Sequence, residues 1–337
     1  MKFQLGYQLP REGSEPFVEI VRDYLPRVAE VYFAWVGSPS GREPLPEAGR
    51  ERLEEDLKIL RRMGVRLNLL FNASCYGPAA FSRRLAEEVV AVVEHLQDLV
   101  GVDVVTTMSP MIAKIVRSRF PSVRTRASVN MRLGTVQAFE YVAGLFDGFT
   151  MQREHNRDLA RIAELHAWCG REGKSLHLLA NSGCLAWCAV QPFHDNLVSH
   201  ERDIDEAECF ADHIPGSCWD LYRDRAGWAR FLQNTWVRPE DVHYYAPWFS
   251  EMKLATRMHS QPRRVLRAYA EGRFAGNLAD LLEPGHASAF APFVFDNRRF
   301  PGDWFERVTR PGPPDEMAAW YAEVLRDVLV DTRAAGE

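Results

Sequence analysis

The chain has 337 residues, 46% hydrophobic and 26% charged, an ordinary globular balance with enough apolar material for one large core. A net charge of −5 and basic residues scattered without a run speak against a dedicated nucleic-acid surface, and no stretch of roughly eighteen apolar residues reads as a membrane span. The first nine residues form a short strand-like stretch before Pro10 and lack the apolar core of a signal peptide, so a cytoplasmic protein with reduced cysteines is expected.

Short apolar runs then alternate with amphipathic ones. Strands are predicted over 3–9, 30–35, 66–71, 103–106, 123–128, 148–151 and 176–180, with helices over 17–25, 49–63, 81–99, 111–119, 136–145 and 158–169. This rhythm implies βαβ units and a parallel sheet. An eighth strand, 250–256, arrives only after a long insertion over 181–249. The predicted fold is therefore α/β, a (β/α)8 TIM-like barrel spanning 1–280 with the insertion between strands 7 and 8. A C-terminal extension, 281–337, ends in a helix over 315–330 and packs on the barrel. An open doubly wound sheet is the alternative, but no G-x-G-x-x-G follows the first strand.

Polar residues gather where the strands end: Asn72, Ser74 and Cys75; Ser109; Ser128, Asn130 and Arg132; Gln152, Arg153 and Glu154; Asn181 and Ser182; Lys253 and Arg257. In a barrel the C-terminal strand ends share one face, and that face carries the chemistry. Strand ends are also simply where polar loops begin, and arginine is mostly exposed. Arg132, Arg153, Lys253 and Arg257 are candidates for holding an anionic substrate, since guanidinium matches carboxylate. Asn72, Asn130 and Asn181 are candidates for orienting neutral polar groups.

Four of the six cysteines lie in one stretch: Asn181-Ser-Gly-Cys184-Leu-Ala-Trp-Cys188, then Cys209, then Pro215-Gly-Ser-Cys218-Trp219. Thiolates this close in sequence after a strand can converge on one centre, and soft sulfur selects zinc or iron–sulfur. Four suffice for a [4Fe–4S] cluster. The spacing is neither a zinc ribbon nor the ferredoxin run. Zinc is the alternative, with His194, His200 or His213 replacing a cysteine, and four buried thiols used only for packing are another. Asn181 and Trp219 adjoin the cysteines and are candidates for touching the cofactor. Cys169, late in a helix, reads as packing; Cys75 follows a strand end.

These segments resemble the peptidase U32 family, whose better-understood members are oxygen-independent hydroxylation proteins. The likeness rests on Arg126-Ala-Ser-Val-Asn130-Met-Arg132 after strand five, Gln152-Arg153-Glu154 after strand six and Asn181-Ser-Gly-Cys184…Cys188 after strand seven. It continues with Val237-Arg-Pro-Glu-Asp241 followed by Met252-Lys-Leu-Ala-Thr-Arg257, a Lys-x-x-x-Arg pattern. The resemblance implies a barrel, a [4Fe–4S] cluster on four cysteines and redox chemistry on a small or carried substrate. In some members it implies a prephenate-like organic acid as the oxygen source. RNA bases, or a cluster-bearing partner subunit, are the alternatives it brings, and a peptidase is the third. Two features depart from the family pattern: the leading cysteines stand closer together, and Thr256 occupies a usual glycine position. They mark a branch apart. Trp219, Trp228, Trp236, Trp248 and Phe249 crowd the insertion and serve either the core and site or a partner interface. No H-E-x-x-H or nucleophile triad spacing supports hydrolysis.

Overall fold

The computed structural model describes residues 1–42, 44–200 and 216–333. Eight parallel strands follow one another around a barrel: β1 Lys2–Gly6, β2 Val28–Ala34, β3 Arg66–Phe71, β4 Val104–Thr107, β5 Arg124–Ala127, β6 Gly148–Thr150, β7 Ser175–His177 and β8 Glu251–Leu254. The hydrogen-bonded order runs β7-β6-β5-β4-β3-β2-β1-β8. The circle closes where Lys253 donates its backbone N–H to Leu178 (2.8 Å) and accepts from Ala180 (2.9 Å). Helices α1 Phe17–Asp23, α2 Arg50–Arg62, α3 Arg83–Leu99, α4 Pro110–Arg119, α5 Val136–Val142 and α6 Leu159–Arg171 fill the connections. Ser82, Ser109, Thr135 and Asp158 cap four of them by accepting the N–H three residues on, which satisfies donors the first turn leaves open.

Alternation along each strand sorts the residues. Phe3 and Leu5, Val31 and Phe33, Leu67 and Leu69, and Met252 and Leu254 face outward. They join one core with Leu53, Leu57, Val89, Val93, Ile112, Val116, Ile162 and Leu165 of the helices. The inward residues are unusually polar. Arg126 of β5 reaches across the barrel to Glu30 of β2 with two hydrogen bonds, 2.6 and 2.9 Å. Asn68 donates to the same carboxylate at 2.7 Å. Gln4 joins His177 at 2.9 Å. Burial alone would raise the Glu30 carboxyl, but the Arg126 charge and the hydrogen bonds outweigh it and hold it below the usual range.

The C-terminal extension packs on this barrel through aromatic rings. Trp304 stacks on Trp236 of the insertion (5.5 Å between centroids) and on Trp320 of the last helix (5.4 Å). Arg157 lies over both Trp236 and Trp304 and donates to the Trp236 and Leu232 carbonyls. Trp228, Trp236 and Phe249 are buried, so the insertion's aromatics build the core here. Two details differ from the sequence reading. A helix over Pro262–Glu271 completes the eighth unit, and the last helix stops at Val328. Leu329–Asp331 instead pairs antiparallel with Phe293–Phe295, because an extended partner strand offers those backbone groups a ladder.

Replacing Arg126 by Met leaves Glu30 buried without its main counter-charge. We expect a loss of roughly 3–5 kcal/mol, read as a lower urea midpoint at unchanged slope; a shift worth under about 1 kcal/mol would contradict the role given to this pair.

Candidate metal centre at the barrel mouth

The insertion leaves the barrel through Asn181-Ser-Gly. Asn181 is fully buried. Its amide nitrogen donates to the Ala255 and Leu281 carbonyls (both 2.9 Å), and its oxygen accepts from Ala255 N–H (2.6 Å). Ser182 bridges to Glu283 in parallel. Gly183 N–H donates to the Glu283 carbonyl at 3.0 Å, while Glu283 N–H donates to the Asn181 carbonyl at 3.1 Å. The chain passes so close here that a Cβ on Gly183 would stand 2.1 Å from the Pro284 oxygen. Cys184 is therefore delivered by a fixed backbone ladder between the insertion and the start of the extension.

Cys184, Cys188 and Cys218 all line one cavity of about 700 Å³ at the mouth. Cys218 enters on the first turn of helix α8, Ser217–Arg223. Helix α7, Gln191–Ser199, turns Gln191, His194, Asp195 and Val198 into the same space, the spacing of one helical face. Cys209 and His213 lie outside the described residues. The Cys218 thiol is pushed up to about 11, by burial first and then by Cys184, with Cys188 adding to it. A thiol whose ionisation burial and two neighbouring sulfurs disfavour is one that a bound positive centre would relieve. Among the described residues no three Cys, His, Asp or Glu side chains close into a group for a single ion. A tetrahedral zinc at 2.3 Å from each sulfur needs thiolates about 4 Å apart.

The strand-end residues divide into distinct places. Arg153, buried after β6, donates from Nη1 to Cys184 Sγ at 3.1 Å and lies 3.4 Å from Ser182 Oγ. Gln191 stands between two guanidiniums. One orientation of its amide accepts from Arg132 at 3.3 Å, the other from Arg153 at 2.7 and 3.2 Å. Arg132 also faces Glu154 at 3.7 Å. Trp219 lines the cavity. Asn72 and Asn130 reach it only indirectly: Asn72 Oδ1 accepts from Gly41 N–H (3.2 Å), and Asn130 Nδ2 donates to the Asn72 carbonyl (3.4 Å). They hold the loop whose next residue, Arg42, lines the cavity opposite Glu283 at 3.6 Å. Lys253 sits lower, over the Tyr32 ring at 4.0 Å, and Arg257 is buried; neither lines the cavity. Asn181 acts through backbone contacts alone, so it places Cys184 and does not face the cavity. Cys169 is buried in α6, as a packing residue would be. Cys75 is away from the cavity, its thiol held low by a hydrogen bond from His200 and by the Gly77 N–H.

Sequence reasoning missed Arg42, Glu283 and His286. His286 is 1% exposed and places Nε2 3.2 Å from Cys218 Sγ. The single local sign of it is the turn dipeptide Pro284-Gly285 just before.

An eight-stranded parallel barrel with a cysteine-lined mouth thus defines the class. No family model matches the sequence. The chain is 25% identical over 282 residues to an uncharacterized protease, MJ1657, of Methanocaldococcus jannaschii, covering 81% of each. The solved U32 peptidase Mk0906 superposes with a TM-score of 0.54 at 16% identity, over 76% of this chain and 92% of that one. The fold is thus that of the solved U32 peptidase, and the sequence likeness to the archaeal protein runs through most of the chain. No helix among the described residues is long and apolar enough to cross a membrane.

Gly183→Ala is expected to force the 282–285 loop aside, at a cost of about 1–3 kcal/mol for overpacking. A lowered melting temperature with faster amide exchange at Gly285 and His286 checks it. Lys253 offers a second test. Burial, then Arg126, pushes its ammonium down to about 7, whereas in the unfolded chain it titrates near 10.4. Between those values the unfolded chain binds a proton the folded one lacks, so this group makes stability rise with pH. The stability of wild type relative to Lys253→Met should therefore increase from pH 7 to 9 in urea titrations; a constant difference would refute the depressed Lys253.

Proposed function

We propose that the chain is an iron–sulfur-dependent redox enzyme of the U32 type, acting in the cytoplasm on a small or carried anionic substrate, with oxygen-independent hydroxylation or a related modification as its reaction. The observation that supports it is the gathering of Cys184, Cys188 and Cys218 on one cavity at the C-terminal face of the barrel, with Cys209 in the same stretch of sequence as the fourth thiolate. A cluster spreads its thiolates over several irons, which suits sulfurs that face one another without closing round a single ion. When bound, such a cluster supplies one-electron chemistry, its potential set by burial and by hydrogen bonds to sulfur.

The chain's own residues then have separable tasks. Arg153 donates to Cys184 and brings a fixed positive charge to the sulfur side of the cavity. Arg42, carried by the loop that Asn72 and Asn130 hold, offers a guanidinium to a carboxylate entering from solvent, in competition with Glu283. Gln191, between Arg132 and Arg153, can turn its amide to present either a donor or an acceptor. Trp219 and Leu185 give the cavity an apolar wall.

A peptidase is the second reading. The names of the two relatives suggest it, and Cys218 with His286 at 3.2 Å has the spacing of a nucleophile and its base. A thiol pushed up to about 11 is protonated at neutral pH, however, and attacks poorly.

Protein prepared without air should contain iron and acid-labile sulfide in comparable amounts. Alanine at Cys184, Cys188, Cys209 or Cys218, each taken singly, should lower both and bleach the visible charge-transfer absorption. Colourless, iron-free protein with four titratable thiols overturns the reading, and peptide cleavage abolished by Cys218→Ala would establish the peptidase instead.

A further inference from the structure

His286 is the buried polar side chain at this centre that the proposed reaction leaves without a task. Its ring is wedged between Trp219 (5.0 Å) and Tyr222 (5.2 Å). One nitrogen, Nε2, faces Cys218 Sγ at 3.2 Å; the other, Nδ1, is buried with no hydrogen-bond partner among the described residues. A neutral imidazole has one donor and one acceptor nitrogen. With the proton on Nδ1, a buried N–H is orphaned, which costs the full desolvation of a donor. With the proton on Nε2, the donor points at sulfur and only an acceptor is left bare. Once Cys218 is a metal-bound thiolate it has no proton to give, so only the second arrangement keeps a hydrogen bond. The ring has little freedom to leave: Asn234 holds the Tyr222 hydroxyl at 2.9 Å and the Gly183 carbonyl at 3.3 Å, tying the wall beside His286 to the ladder that delivers Cys184.

We propose that His286 is a positioning residue of the sulfur centre, donating its Nε2–H to Cys218 Sγ and thereby favouring the electron-rich, reduced state; this rests on the iron–sulfur reading above. Arg153 does the same for Cys184 from the opposite wall, so two of the three described sulfurs carry a nitrogen donor. Cys188, beside the exposed Trp187, has none among the bonds described. Hydrogen bonds to cluster sulfurs are a general lever on potential, and here that lever comes from the C-terminal extension.

The test uses anaerobic holoprotein of wild type, His286→Phe and His286→Gln. Phenylalanine keeps an aromatic ring in the stack and removes the donor; glutamine restores an N–H. Iron and sulfide content should be equal in all three. The midpoint potential of the Phe variant should fall by roughly tenfold in the reduction equilibrium, about 59 mV for one electron, with Gln recovering part of the shift. In wild type, the iron–thiolate stretching bands in resonance Raman spectra should move on transfer to D2O, a readout that needs no variant. Unchanged potentials together with D2O-insensitive bands overturn the proposal. Loss of iron in the Phe variant also overturns it, by making His286 a ligand. Absence of iron and sulfide from wild type is a different result, which removes the iron–sulfur reading itself.

Discussion

One buried amide fastens the working end of this molecule. Strand β7 is only three residues long, and it meets β8 through a few backbone bonds centred on Lys253. That β7–β8 seam carries few bonds of its own, and Asn181 crosses it. Its amide joins the ends of β7 and β8 to the turn that begins the extension. All three bonds are to backbone and all are buried, where a bond left unmade costs more than one made gains. The insertion and the extension both emerge at this point, so whatever they carry is fixed relative to the barrel and to each other. That is why a thiol on the insertion and an imidazole on the extension meet although 68 residues separate Cys218 from His286.

Below the mouth the barrel interior departs from the usual layers of branched aliphatic side chains. Glu30, Asn68, Arg126, Gln4 and His177 form a hydrogen-bonded plug. Its satisfied pairs make it rigid, and its charges act on what lies above. Arg126 suppresses ionisation of Lys253 and depresses His177 further after burial has done so. The plug therefore keeps one strong cation, Arg126, neutralised by Glu30, and disfavours protonation of Lys253 and His177 beside it. At the mouth, Arg153 stands against Cys184, while Arg42 and Arg264 line the cavity.

The barrel was legible because strand alternation and helix periodicity agree over two thirds of the chain. The predicted third strand coincides with Arg66–Phe71, and helices α2 and α6 fall within two residues of expectation. Boundaries were misread where tertiary pairing decides: β7 is shorter than its apolar run because residues 178–180 bond across the seam instead. Of the four cysteines that spacing grouped, Cys184, Cys188 and Cys218 line one cavity. Arg153 could be singled out as a strand-end residue, although its target, Cys184 Sγ, could not. His286 and Glu283 carried little signal because their roles arise from the parallel ladder at Ser182 and Glu283, a contact between segments remote in sequence, and Arg42 takes its place from a loop held by Asn72. Asn181 shows the limit of the strand-end rule. It stands where a ligand-facing residue would be expected, and its side chain is consumed in holding the backbone.

The three described sulfurs are held with unequal firmness, and the sequence spacing explains it. Cys184 follows a laddered segment and accepts from a buried guanidinium; Cys218 is set by a helix turn and a wedged imidazole. Cys188 depends on the tight turn that separates it from Cys184. Three intervening residues are too few for an ordinary loop, and the turn is made by Trp187 at φ 57°, a left-handed conformation costing about 1–2 kcal/mol for a residue with a Cβ. A glycine would adopt it freely. The tryptophan ring stands edge-on to His155 at 5.5 Å and is 63% exposed. The short spacing between Cys184 and Cys188 is therefore achieved by strain at one exposed aromatic residue, and Cys188 is the sulfur whose position answers most directly to whatever approaches that ring.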